Sequence, residues 1–297
     1  MRKKLVTLLA LAACMCAPMA FAAHFSDLYV IPVASHISGV NGTVFISDLS
    51  IQNFQSTPLI ATVLFIESGE GNTENVSNLV STALPNGSVT VPAGGTVILR
   101  DVLSGYQGKT TAIVGSLIVS GDKPFAVTSR NYSVNAAGGT IGQTVPPARD
   151  FVENAIGDTI NAMATSYLPG LTSNAAYRTN IGFTAAAGQN GNGAIIEIEI
   201  KDADGTSLGK RSFYIGPNLY EHVQVAVTTI ASKGFDAGSA TLRITNGDAA
   251  VAPYASVVDN ISSDAVFITG VFPPNAPFAK VQSAPSLFRQ LVERMKP

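Results

Sequence analysis

Residues 43–53, TVFISDLSIQN, and residues 177–182, YRTNIG, decide how this chain is read. In the first stretch Val44, Ile46, Leu49 and Ile51 mark an alternating strand. The step from Ile46 to Leu49 breaks the alternation and predicts a bulge near Asp48. The second stretch lines up with the first, Phe45-Ile46-Ser47-Asp48-Leu49 on Tyr177-Arg178-Thr179-Asn180-Ile181, an offset of 132. Outward from this anchor, Val91-Pro92 matches Gly216-Pro217, and Gly115-Ser116 matches Gly238-Ser239. Gly121-Asp122 then matches Gly247-Asp248, and Ala126-Val127-Thr128-Ser129 matches Pro253-Tyr254-Ala255-Ser256. These offsets are 125, 123, 126 and 127, so loop lengths differ while strand order holds. Such internal similarity reads as duplication of one sandwich of roughly 120 residues.

Other strand-like runs recur at short intervals with turn residues between them. Residues 59–67 form one, and residues 88–91 and 96–99 flank Pro92-Ala93-Gly94-Gly95. Residues 112–120 and 125–132 flank Gly121-Asp122-Lys123-Pro124, whose turn chemistry predicts a hairpin. The expected fold is all-β: two tandem immunoglobulin-like β-sandwich domains, at 23–148 and 149–272. Pro146-Pro147 supplies the linker, because proline blocks helix and ladder pairing alike. A Pro-rich tail, 273–297, ends in a short helix capped by Ser286, with Leu287, Leu291 and Met295 on one face beside Phe288 and Val292. Ten residues make a marginal helix alone in water, so this one packs on its own domain, docks on a partner, or frays.

The N-terminus has the order of a secretory signal peptide over residues 1–22. Arg2, Lys3 and Lys4 precede an apolar run from Leu5 to Ala13, then Pro18 and the small-x-small site Ala20-Phe21-Ala22. Leu11-Ala12-Ala13-Cys14 also resembles a lipobox, with Cys14 as the lipidated residue of an anchored alternative. Both cysteines, Cys14 and Cys16, fall in this segment, so cleavage after Ala22 removes any disulfide framework, cysteine zinc site or thiol nucleophile. It also leaves roughly 15 basic against 20 acidic side chains, with no basic stripe for nucleic acid. The apolar run is too short to span a bilayer, and a chain without tryptophan lacks the aromatic girdles of an outer-membrane barrel. The expected address is the periplasm, the outer cell surface or the medium.

Several runs resemble a group of bacterial secreted proteins of paired β-sandwiches. They are Leu168-Pro169-Gly170-Leu171, Tyr177 to Gly182, Tyr254 to Asn260, and Ser129-Arg130-Asn131-Tyr132 followed by Gly142 to Pro146. The resemblance implies the fold and an exported location for most of the chain, and it brings no activity with it.

Candidate chemistry is sparse. His24, His36 and His222 lie outside metal-ligand spacing of one another. Cleavage after Ala23 would make His24 the first residue, able to chelate copper as in β-sandwich oxidases that act on polysaccharides. Asp202-Ala203-Asp204-Gly205-Thr206 resembles the opening of a calcium loop, but Phe213 stands where an EF-hand needs its glutamate, so a hairpin turn is expected. Gly-x-Ser-x-Gly is missing, and the histidines show no serine-hydrolase pattern. Asp48, Asp101, Asp158 and Asp259 could pair for a glycosidase, or satisfy amides and the arginines Arg130 and Arg178. Arg130 beside Tyr132, and Arg178 beside Tyr177, read as structural ties or as ligand-binding pairs. No cofactor is expected. The leading reading is a non-catalytic structural or adhesive protein that meets a cell-surface protein, a polysaccharide or its own copies. A carbohydrate-binding module and a copper or carboxylate enzyme are the alternatives.

Overall fold

A computed structural model of the chain describes residues 26–39, 43–69, 76–110, 112–134, 138–148, 151–154, 165–187, 193–271 and 286–295. The expected leader with Cys14, and also His24 and Asp158, lie outside them. The described chain is mostly β-strand. Strands β1 (Ser26–Ser38), β2 (Val44–Gln52), β3 (Leu59–Glu67), β4 (Val76–Asn78), β5 (Ser88–Val91), β6 (Thr96–Leu99), β7 (Ile113–Val134) and β8 (Thr140–Val145) share one antiparallel sheet. Strand β7 crosses the whole unit. Its first part pairs with β1 and β3, its second with β2 and β8. One apolar core takes Ile31, Leu49, Val63, Leu117 and Val127 from both parts, so the sheet folds over itself like a sandwich.

The expected hairpin at Gly121 to Pro124 is therefore a corner. Its two flanks never pair with each other, because each has a longer partner on a different layer. The expected bulge at Asp48 is missing too. Pairing of β2 with β7 runs without a shift from Phe45 opposite Ser133 to Gln52 opposite Ala126. Ser47 takes the inward position instead of Ile46, and its hydroxyl oxygen, fully buried, accepts the Ser35 N–H at 2.9 Å. Polar satisfaction replaces the apolar alternation there.

The second half has two sheets. One is ordered β10 (Thr165–Ser173), β15 (Phe235–Gly247), β12 (Ala194–Asp202), β13 (Ser207–Ile215). The other is ordered β14 (Tyr220–Ala226), β11 (Tyr177–Ala187), β16 (Ala249–Asp259), β17 (Ala265–Thr269), with β9 (Val152–Asn154) also on β16. Between them lies a core of Ile181, Phe183, Ile198, Leu242 and Val251.

Strand order in the halves coincides. The layer β1-β7-β3 corresponds to β10-β15-β12, and β6-β2-β7-β8 to β14-β11-β16-β17. The two glycines paired in the sequence, Gly115 and Gly238, occupy one structural position. A Cβ would stand 2.1 Å from the Ile66 carbonyl oxygen at the first and 2.5 Å from that of Lys201 at the second. Both face a register shift in the neighbouring strand, at Ile31/Ala34 and at Pro169/Leu171. Strand register corrects one offset: Ser47 opposite Asn131 and Thr179 opposite Val257 make the last match 126 residues, one fewer than the sequence suggests. An immunoglobulin sheet sets its first strand beside its second. Here β10 lies beside β15, so the connectivity is a different one.

A third apolar cluster joins the halves. Leu28, Val30, Leu64, Ile66 and Ile118 on the outer face of β1, β3 and β7 meet Ala186, Tyr220 and Ala250. The C-terminal helix α1 (Ser286–Met295) closes that seam with Phe288, Leu291 and Val292. Arg289 holds Asp27 through two hydrogen bonds of 3.1 and 2.7 Å, and the Tyr220 hydroxyl donates to the Leu287 carbonyl at 3.0 Å. The Arg289 guanidinium keeps the Asp27 carboxyl below its usual range. Of the three fates open to the helix, packing on its own chain is the one seen, at the joint of both halves. Phe288→Ala should cost about 3–5 kcal/mol, as for other buried aromatic truncations, read as a lower urea midpoint. An unchanged midpoint would mean that the helix contributes nothing to the joint.

Candidate functional site

The end of the second half carries Tyr177 and Arg178 on turns built from side chains. Between β10 and β11, the Asn174 carboxamide oxygen accepts the N–H groups of Ala176 and Tyr177, both at 2.8 Å, and its NH2 donates to Asp236 at 2.8 Å. Between β16 and β17, the Asp259 carboxylate accepts Ile261 N–H at 2.8 Å and Ser262 N–H at 2.7 Å. The Ser262 and Ile261 amides hold that carboxyl below its usual range. Asn260 ties the turns together. Its N–H donates to Ala176 and its NH2 to Ala175, while its oxygen accepts from Arg178 at 2.8 Å. These bonds are the Asx chemistry of short turns, here linking two turns across the sheet. At the tip Ile261 is 89% exposed, Val266 63% and Tyr177 40%, and the polar Asn174, Ser262 and Asp264 are exposed there too.

Arg130 and Tyr132 are together but elsewhere, on the outer face of the first half. The guanidinium lies 4.7 Å over the Tyr132 ring and donates to Thr140 at 2.8 Å. Tyr132 is buried beneath it, with its hydroxyl donating to Asp48. Asp48 pairs with Arg100 rather than with Arg130, and also accepts the Asp101 N–H at 2.9 Å. A carboxylate so fully engaged is a structural anchor. The Asp101 carboxylate accepts a hydrogen bond from His36 Nδ1 at 2.9 Å. The two arginine–tyrosine pairs thus stand on separate sheets and form no common site.

Asp202 closes the β12–β13 turn on itself, accepting Asp204 N–H at 3.1 Å and Thr206 N–H at 2.9 Å. Gly205, at φ 80°, supplies the left-handed residue that turn needs. That carboxylate oxygen is occupied by its own backbone. Among the described residues no group of three or more His, Cys, Asp or Glu side chains could hold a metal.

One constellation had no local signal in the sequence. His222, which belongs to no sequence motif, is wholly buried at the joint. Its Nδ1 meets the Ser68 hydroxyl at 2.9 Å and its Nε2 meets the Tyr254 hydroxyl at 2.7 Å. Tyr254 donates its single proton to Gln224 at 3.0 Å. Nε2 therefore carries the imidazole hydrogen, and Nδ1 accepts from Ser68. Burial lowers the His222 pKa to about 3, against a smaller opposing pull from the Pro32 carbonyl. A general base works best near the ambient pH; this imidazole stays neutral and serves as a bridge between halves. Ser68 and His222 are 154 residues apart, so only the folded chain brings them together.

No protein-family model matches the chain, and no curated protein matches it. Similar solved structures include that of infectious bursal disease virus, Gx strain, at 12% identity and TM-score 0.21, covering 82% of this chain and 70% of that one. A mutant VP2 protein of the same virus is similar at 12% identity and TM-score 0.23, with 91% and 82% covered. A glycosyl hydrolase family 2 member from Bacteroides cellulosilyticus is similar at 8% identity and TM-score 0.17, with 80% and 25% covered. Likeness at these scores carries no argument about function.

The buried imidazole sets a pH dependence. Its folded pKa lies below the unfolded value of 6.5, so the unfolded chain takes up the proton first as pH falls. The His222 contribution is complete above pH 6.5 and declines toward pH 3, by roughly 1.4 kcal/mol per unit and about 2 kcal/mol at pH 5. Urea unfolding of the parent and of His222→Gln at pH 7.5 and pH 5 should show a smaller acid loss in the variant. Parallel losses would show that the imidazole is not titrating between the two states.

Proposed function

We propose that the protein is an exported envelope or extracellular component of two tandem β-sandwiches, with a structural or adhesive role. It holds a surface protein or polysaccharide at the tip of its second half. The carrying observation is the exposed Ile261, Val266 and Tyr177 mounted on turns that Asn174, Asp259 and Asn260 lock from within. Apolar side chains exposed on a rigid support gain contact area without ordering a loop, which is how a preordered site binds. The shared strand order of the halves supports duplication, and the joint keeps the tip fixed relative to the first half. Described helices include none long and apolar enough to cross a membrane.

Carbohydrate binding is the second reading, and it rests on Tyr177. Its ring is partly exposed, whereas the Tyr132 ring is covered by Arg130.

Retention of the protein on envelope material and on insoluble polysaccharides tests both. Ile261→Asp and Tyr177→Ala should each weaken retention roughly tenfold or more, as expected of anchor residues, with unchanged thermal unfolding. Selective loss on polysaccharide with Tyr177→Ala alone would favour the carbohydrate reading. Full retention by both variants would remove the tip as the binding surface.

A further inference from the structure

The joint is a one-way contact. The outer face of the first layer in half one, with Leu64, Ile66 and Ile118, covers the outer face of the second layer in half two. On that second face stand His222, Tyr254 and Phe267, the last two stacked at 5.5 Å and packed against the first half's own core. A contact between unlike faces of like units does not close by itself. It repeats head to tail unless something ends it. Duplication leaves the chain with both matching faces still present: the second-layer face of half one, and the first-layer face of half two.

Strand register says which residues occupy the equivalent positions. Leu64 opposite Ile118 in half one corresponds to Glu199 opposite Thr241 in half two, and Ile66 to Lys201. Glu199 lies 3.6 Å from both Lys201 and Lys210. On the other side, Thr184 opposite His222 corresponds to Gln52 opposite Thr96. Tyr254 corresponds to Thr128, and Phe267 to Thr144. Thr96, Thr128 and Thr144 are all exposed. These six positions, apolar or buried in the joint, are therefore hydroxylic or charged on the face that would repeat it, while Val30 corresponds to the half-exposed Tyr167.

We infer that these polar replacements end the array at two units, so that a second copy cannot dock in continuation of the joint. Docking there would strip water from Lys201 and Lys210, which already serve the buried Glu199 within their own sheet, and the facing threonines offer no counter-charge. Small hydroxyl side chains in place of an imidazole and two aromatic rings would also leave the seam unfilled. The sheet shape permits repetition, and the side chains forbid it.

Two variants rebuild one face each. Glu199→Leu with Lys201→Ile and Thr241→Ile restores the apolar face on half two. Thr96→His with Thr128→Tyr and Thr144→Phe restores its counterpart on half one. Sedimentation velocity of the full exported chain should give a single-chain mass for the parent. An equimolar mixture of the two variants should gain a species of twice that mass, because one rebuilt face meets the other. A chain carrying all six changes should form open oligomers that lengthen with concentration. Circular dichroism and thermal unfolding establish that the variants are folded. Where a triple variant loses its fold, Lys201→Ile and Thr128→Tyr are mixed instead, with a smaller concentration-dependent rise in mass expected. Head-to-tail oligomers of the parent overturn the inference, and so does a mixture of folded variants that stays at single-chain mass.

Discussion

The outer face of β1, β3 and β7 is apolar where a sandwich ordinarily meets water, and the rest of the molecule is arranged to cover it. Leu28, Val30, Leu64, Ile66 and Ile118 would leave a contiguous apolar patch on an isolated first half. The second half supplies one cover, through Ala186, Tyr220 and Ala250, and the C-terminal helix supplies the other. Neither cover suffices in sequence terms alone. The helix is too short to persist by itself, and the sheet face opposite contributes two alanines and a tyrosine. Together they make a third core whose members come from both halves and the tail.

Burying that face brought polar groups along with it, and each described link in the chain is satisfied across the seam. Ser68 comes from the end of β3, His222 from β14, Tyr254 from β16 and Gln224 from β14 again. A hydrogen-bonded chain of neutral groups costs less to bury than a charged pair, and it fixes the halves in one relation because any slip leaves a donor or acceptor unmet. Gln143 bonded to Ser256 at 3.0 Å adds a second polar tie between the halves. A rigid joint of this kind keeps the exposed tip at Ile261 in a set direction.

The arginine–tyrosine pairs show how one motif divides by position. Arg130 spends its guanidinium on a ring and a threonine, on a face that meets water. Arg178 spends it on Asn260, and so braces the two turns that display Tyr177 and Ile261. Arg130 and Tyr132 are two residues apart while Tyr177 and Arg178 are adjacent, and their surroundings differ because one sits near a crowded carboxylate, Asp48, and the other at the open end of a sandwich.

The sequence by itself determined the all-β class and the order of the strands in two halves, because alternating apolar residues and turn residues act within a few positions. It also determined the apolar face of the final helix and the hairpin closed by Asp202, whose bonds are local. Tertiary structure decided what long range alone can fix. The turn at Gly121 to Pro124 became a corner because β7 found partners on two layers, a choice made by residues 48 to 88 positions away. Ser47, inward and satisfied by Ser35, broke the apolar alternation without any bulge. His222 became a buried bridge because Ser68 and Tyr254 arrive on other strands. The tip was half legible: Tyr177, Arg178 and the Asn and Asp turn residues are visible in the sequence. That two turns lock each other through Asn260 follows from β11 and β16 lying side by side.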